Sequence, residues 1–124
     1  MRREPLTAGQ LLLHIAREAD LPGDAESDYR AASLETEGFI HCSTLSQVLL
    51  PADRLFRGQE DLVLLCIDSH LVPHPIVFED CYDSGETYPH IYGPLPWTAV
   101  QAVIAFPPGA DGRFRLPDEL ERLY

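Results

Sequence analysis

Lysine is missing from the chain: all nine basic side chains among its 124 residues are arginines, set against 20 acids, so the formal charge is −11. Guanidinium is then the only permanent cation. A long nucleic acid is excluded as a partner, because binding one means neutralising phosphates with clustered basic groups, and the excess of carboxylates sets up an opposing field. A small anion held by one local arginine is still compatible, since guanidinium grips phosphate or carboxylate through two parallel bonds. Codon bias is the plain explanation for the missing lysines.

Long apolar runs are also lacking. The longest uninterrupted one, residues 62–67, has six positions, far short of the ~20 that cross a bilayer. The first residues show no basic segment followed by an apolar one. The expectation is a soluble, cytoplasmic protein with no membrane partner. Cysteine is sparse: Cys42, Cys66 and Cys81 are odd in number and form no Cys-x-x-Cys pair. Each lies in an apolar, strand-like stretch, which predicts core-filling thiols in place of a disulfide or structural zinc. There is no glycine-rich phosphate loop, dinucleotide fingerprint or Gly-x-Ser-x-Gly elbow. His70 and His74 have the i, i+4 spacing of a metal pair, but Pro73 and Pro75 forbid the helix that would align them.

What is present suits one domain, residues 1–124, in which 45% of positions are hydrophobic. A chain of this size hides roughly two-thirds of its unfolded surface, enough for a core without cross-links. Residues 1–9 and 107–124 are expected at the periphery. Strands are predicted over 10–16, 39–43, 61–68 and 76–81, in a short aromatic stretch bounded by Pro89 and Pro94, and over 100–106, the third apolar throughout and therefore covered on both faces. Residues 20–30, with Pro22, Gly23 and several acids, read as a solvated loop or frayed helix. Thr44 with Gln47 spells a capping box before a helical stretch 44–57, which Pro51 divides and Gly58 closes. Residues 117–124 read as a charged terminal helix or tail. Six short strands with two or three helical segments predict an α+β fold around an antiparallel or mixed sheet, not a doubly wound one.

The histidines carry the chemical information. Alternation in Phe39-Ile40-His41-Cys42-Ser43 puts Phe39, His41 and Ser43 on one face, leaving an imidazole beside a hydroxyl at the end of a strand. His90 and Tyr92 repeat the pattern around Ile91, and Gly93 behind them would let a flat ligand approach the backbone. His14 sits alone in the apolar run LLLHIA. Each of these is compatible with a satisfied structural residue, but three histidines centred in three apolar strands point to a shared site. Glu79 ends a strand where an unpaired carboxylate is costly to desolvate. Arg54 and Arg57, three apart on one helix face, are its candidate partners or the anchors of a bound anion. A facial metal site from His14, His41, His90 and Glu79 is the remaining option, and no metal is expected.

The strings LETEGFIHCST, FRGQEDLVLLCID and FEDCYDSGETYPHIYGPL resemble the bacterial domain-of-unknown-function family numbered 952, in matching blocks from about His14 to Val103. The resemblance names no reaction. It implies membership of the ADP-ribosyltransferase-like superfamily: a split antiparallel α+β fold with a few short helices, in which NAD or an ADP-ribose compound lies in a cleft between two small sheets. Carried over, His14 takes the first-strand position, His41 with Ser43 the second, and Glu79 the acidic role, with Glu86 its rival. The H-x-S pair is also similar to the His-bearing strand of the RNA 2′-phosphotransferase branch. The chain has no Ser-Thr-Ser strand and no Glu-x-Glu or Gln-x-Glu loop, so protein ADP-ribosylation is not implied.

The resulting expectation is a transferase of ADP-ribosyl or phosphoryl type that binds NAD or an ADP-ribose-type nucleotide and acts on a small-molecule substrate. Glu79, His41 and His90 are its catalytic groups. His14, Ser43, Arg54, Arg57 and Tyr92 bind the ligand. The alternatives are a non-catalytic module binding a small anion or another protein, and a metal-dependent hydrolase.

Overall fold

A computed structural model describes residues 10–81 and 83–123. Its elements run β1 (Leu11–Arg17), α1 (Ser33–Thr36), β2 (Ile40–His41), α2 (Leu49–Leu55), β3 (Leu62–Asp68), β4 (Ile76–Glu79), β5 (Tyr88–Ile91) and β6 (Val100–Ala105), with short 3-10 turns between them. The strands form two three-stranded sheets, ordered β1-β3-β6 and β2-β5-β4, and every pairing is antiparallel. The fold is α+β, as expected, and the sheets are antiparallel without a parallel member.

The first sheet is the structural centre. β3 lies in the middle, and its six apolar residues are all buried. Alternation sends Leu62, Leu64 and Cys66 into one core with Leu11 and Leu13 of β1, and Val63, Leu65 and Ile67 into a second with Leu12 and Ala16. Each fully buried leucine or isoleucine contributes about 1.5–3 kcal/mol from burial alone.

The first core is covered by α2 and the end of the chain. Pro51 falls in the first turn of α2, where its missing N–H costs nothing. Val48 and Ala52, four apart, point inward, and Gly58 turns the chain away at φ +79°. Two details differ from expectation. Residues 45–48 form a turn before the helix, although the Gln47 side chain does accept the Thr44 N–H at 3.1 Å, one half of a capping box. The segment 107–123, expected at the periphery, is largely exposed but is anchored on the first core, where Phe114 and Leu120 are buried and the Phe114 N–H donates to Asp53 at 2.8 Å. Residues 1–9, expected at the periphery, lie outside the described residues.

The second sheet covers the other core. Ile40 and Ile91 are register partners and Ile76 pairs with Ile91 across β5, so one apolar row faces inward beside Cys42, Tyr29, Leu95 and Ala99. Cys42 and Cys66 are buried as predicted, but Cys81 is exposed because β4 ends at Glu79 and releases it into a loop. Among the described residues, no helix is long and apolar enough to cross a membrane.

Candidate functional site

The two sheets are joined by backbone pairing where β1 passes the end of β2. Leu13 of β1 and Ser43, just beyond β2, exchange both backbone hydrogen bonds at 2.8 Å. At this seam opens a cleft of ≈190 Å³, lined by His14, His41, Ser43 and His90 together with Leu13, Ile15, Pro51, Leu55, Phe56 and Tyr88. Three histidines and a serine, predicted from three separate segments, therefore meet in one hollow with mostly apolar walls.

Register explains the convergence. His41 and His90 are direct partners across β2 and β5, and Val77 is the partner of His90 across β4. With side chains alternating, Phe39, His41 and Ser43, then Tyr88, His90 and Tyr92, then Val77 and Glu79 all stand on one face of the second sheet. The His90 ring is fully buried, stacked on Phe39 with centroids 4.2 Å apart, and edge-on to His41 at 5.2 Å. Its Nδ1 lies 2.8 Å from Oε1 of Glu79, and the Tyr92 hydroxyl donates to that same oxygen. Tyr92, then His90, hold the Glu79 carboxyl below the usual range, against a small opposing effect of burial. The bond to Glu79 in turn pushes the Tyr92 phenol up to about 12. His41 is held from the other side by Glu37, Nε2 to Oε2 at 2.7 Å.

His14 is more deeply engaged. Its Nδ1 meets the His41 carbonyl, and Nε2 lies 2.9 Å from the Tyr29 hydroxyl. A carbonyl can only accept, so Nδ1 carries the proton and Nε2 accepts from Tyr29. Burial pushes the His14 pKa down to about 4, opposed in part by the His41 carbonyl. It is a neutral imidazole that orients β2 and forms one wall of the cleft.

The other predicted residues divide. Arg54 lines a smaller hollow of ≈130 Å³ that shares Pro51, Leu55 and Tyr88 with the cleft, so it stands at the cleft's extension. Arg57 lines neither hollow, and its side chain lies against Gly112. Neither arginine pairs with Glu79, whose partners are His90 and Tyr92. Glu79 itself is behind His90 and does not line the cleft. Its rival Glu86 bonds Gln47 and Tyr88, each at 3.3 Å. Gly93 does not admit a flat ligand: the His74 ring occupies the space, and a Cβ there would lie 2.3 Å from its Cγ. The alternative metal set of His14, His41, His90 and Glu79 does not assemble, since both nitrogens of His14 are taken.

Three contributors go unnamed as site residues in the sequence reading: Phe39, Tyr29 and Glu37. Alternation put Phe39 on the right face, so its role as a stacking partner was readable. Glu37 and Tyr29 come from outside any strand, and no periodicity marks them.

Residues 15–103 match the family described as protein of unknown function (DUF952). Among solved structures, the chain is similar to protein CC0527 from Caulobacter crescentus, with 30% identity. The match to its crystal structure covers 90% of this chain and 98% of that one, at a TM-score of 0.75. The match to its solution structure covers 89% and 96%, at 0.72. No curated protein matches.

Proposed function

The chain belongs to the DUF952 family, whose description names no reaction, and from the cleft itself we propose that it binds NAD or an ADP-ribose-type nucleotide and transfers part of it to a small-molecule acceptor. The observation that carries this is the meeting of His14, His41, Ser43 and His90 in one cleft at the seam of two antiparallel sheets, with the Glu79 carboxylate bonded to the buried His90. A split pair of sheets with a ligand between them is also the ADP-ribosyltransferase-like arrangement.

The dimensions set the pose. A cleft of ≈190 Å³ is below the ~300–1,000 Å³ that encloses a drug-sized molecule, so only the nicotinamide riboside half is buried. Leu13, Ile15, Leu55 and Phe56 give it an apolar wall, and Ser43 with His41 faces the ribose hydroxyls. The pyrophosphate leaves through the adjoining hollow, where Arg54 is the guanidinium available to it. When the bond from ribose to nicotinamide breaks, positive charge develops on the sugar. The Glu79–His90 pair stabilises it from the back of the cleft, where low dielectric strengthens the interaction. His41 and His90, each bonded to a carboxylate, are the groups placed to move a proton.

The test is thermal shift together with release of nicotinamide. NAD or ADP-ribose at millimolar concentration raises the melting temperature by several degrees, as mass action requires of any ligand well above its Kd. Arg54→Ala weakens binding by about tenfold, the value of one charge-assisted hydrogen bond. Glu79→Gln keeps binding and loses nicotinamide release. If NAD, ADP-ribose and cyclic phosphates all leave the melting temperature unmoved, the reading is overturned. A second reading, a non-catalytic binding module, is favoured by one observation: the rings of His14, His41 and His90 each already hold a protein partner. It predicts binding without turnover, with Glu79→Gln as tight as the wild type.

A further inference from the structure

The loop after β4 brings a thiol to the Glu79–His90 pair. Cys81 Sγ lies 3.5 Å from Nδ1 of His90, the atom that is 2.8 Å from Oε1 of Glu79. One donor atom from each of Glu79, Cys81 and His90 falls within 4.8 Å of the other two. We propose that these three residues bind a soft divalent cation of the zinc class, with a coordination position left open to solvent.

The donor set selects the ion. A thiolate and an imidazole favour zinc and its soft neighbours, whereas magnesium and calcium take oxygen ligands. Around a tetrahedral zinc, with bonds of about 2.3 Å to sulfur and 2.0–2.1 Å to nitrogen, those two ligand atoms stand about 3.6 Å apart. The observed separation of Sγ and Nδ1 already matches. Nitrogen and carboxylate oxygen must open by about half an ångström from their present hydrogen bond, a rotation available to a Glu79 side chain that is one-third exposed. His90 cannot move: it is fully buried and stacked on Phe39, so it is the fixed ligand.

The loop fixes the thiol. Asp80 accepts from the Ser84 N–H at 3.0 Å and the Gly85 N–H at 2.7 Å, closing the turn that carries Cys81. The surroundings are negative, with Glu79, Glu37 and Asp80 all acting on the thiol. That field opposes a bare thiolate and attracts a dication. On binding, the thiol proton goes to solvent and the His90 proton moves to Nε2, freeing Nδ1 to ligate, so apparent affinity rises with pH. Three protein ligands and one open position are the composition of a reactive zinc site, not a closed structural one. The assignment stands whether or not a nucleotide enters the cleft.

Co²⁺ and Zn²⁺ alone, with no nucleotide present, test it on the whole chain stripped of metal and kept reduced. The expected result is one equivalent of Co²⁺ giving a thiolate-to-cobalt charge-transfer band that Zn²⁺ abolishes. Cys81→Ser removes the band and weakens Zn²⁺ by at least about tenfold. In the wild type, Zn²⁺ slows alkylation of Cys81 by iodoacetamide, read by mass spectrometry against the buried Cys42 and Cys66. No band, a band that survives Cys81→Ser, or alkylation at an unchanged rate overturns the site. Because nucleotide is absent throughout, failure here leaves the NAD reading standing, whereas a cation held by Glu79 and His90 would take from that reading the pair it uses to stabilise charge and move a proton.

Discussion

The two sheets have the same number of strands and the same antiparallel pairing, yet they do different work. In β1-β3-β6 the central strand β3 is apolar and buried on both faces, between two cores. The β2-β5-β4 sheet buries one face through Ile40, Ile91 and Ile76 and turns the other, bearing His41, Ser43, Glu79, His90 and Tyr92, toward the cleft and solvent. A strand covered on both faces has no surface left for a ligand, so the first sheet reaches the cleft only from its edge strand, through Leu13, His14 and Ile15 of β1. A sheet that spends a single face on the core can carry polar groups at fixed spacing on the other. Stability and chemistry thus fall largely on different strands, which meet at the seam where Leu13 pairs with Ser43 and His14 bonds the His41 carbonyl.

The sharpest break in this contrast comes from truncating each sheet in turn. Leu65 is fully buried in the middle of β3, so Leu65→Ala loses burial and leaves a cavity, about 3–5 kcal/mol in all. Phe78 on β4 is 54% exposed, and Phe78→Ala changes stability by less than about 0.5 kcal/mol despite removing a larger side chain. Urea unfolding of the two variants checks both values, and equal costs would show that the second sheet is as structural as the first.

His14 is the exception that sharpens the comparison, because it is the one histidine on the structural sheet. Its pKa is about 4 in the folded protein against 6.5 for an unperturbed imidazole. Between those values the unfolded chain binds more protons, so stability rises with pH across this window. The contribution is fully present above pH 6.5 and is lost as pH falls to about 4, about 3 kcal/mol in total. Urea midpoints measured at pH 7 and 4.5 are expected to differ by most of that amount. In His14→Gln the slope over the window flattens, and a slope that survives the substitution would assign it to another group.

This division also explains what could be read from the residues alone. The apolar run 62–67 and the alternation around His41 and His90 reflect local periodicity, which records how many faces of a strand are buried, and both were legible. So was the convergence of His14, His41, Ser43 and His90. The partners were not. Glu79 was matched with Arg54 and Arg57 on charge, but cross-strand register gave it to His90, and register depends on turns between distant segments. Apolar neighbours make Cys81 read as core filler, yet β4 stops two residues short of it. Phe114 and Leu120 lie in a Pro- and Gly-containing tail with no period to show that they close the first core.

The smallest expected effect lies on the chemical sheet and separates its geometry from its stability. Tyr92 is the first cause of the low Glu79 pKa and His90 the second. Tyr92→Phe removes the hydroxyl while keeping the ring near Phe39, 5.2 Å between centroids. Because both Tyr92 and Glu79 are open to water, the unfolding midpoint at pH 7 stays nearly unchanged. The Glu79 carboxyl, however, loses one of two donors and titrates at a higher pH, still below its ordinary value because His90 continues to hold it. A lowered carboxyl keeps its charge until pH falls through its folded pKa, so in the variant the charge is lost earlier on acidification. A carbonyl-carbon NMR titration of Glu79 in both proteins measures the displacement. A midpoint that does not move would mean that His90 alone sets the charge, leaving Tyr92 as a packing residue beside the cleft.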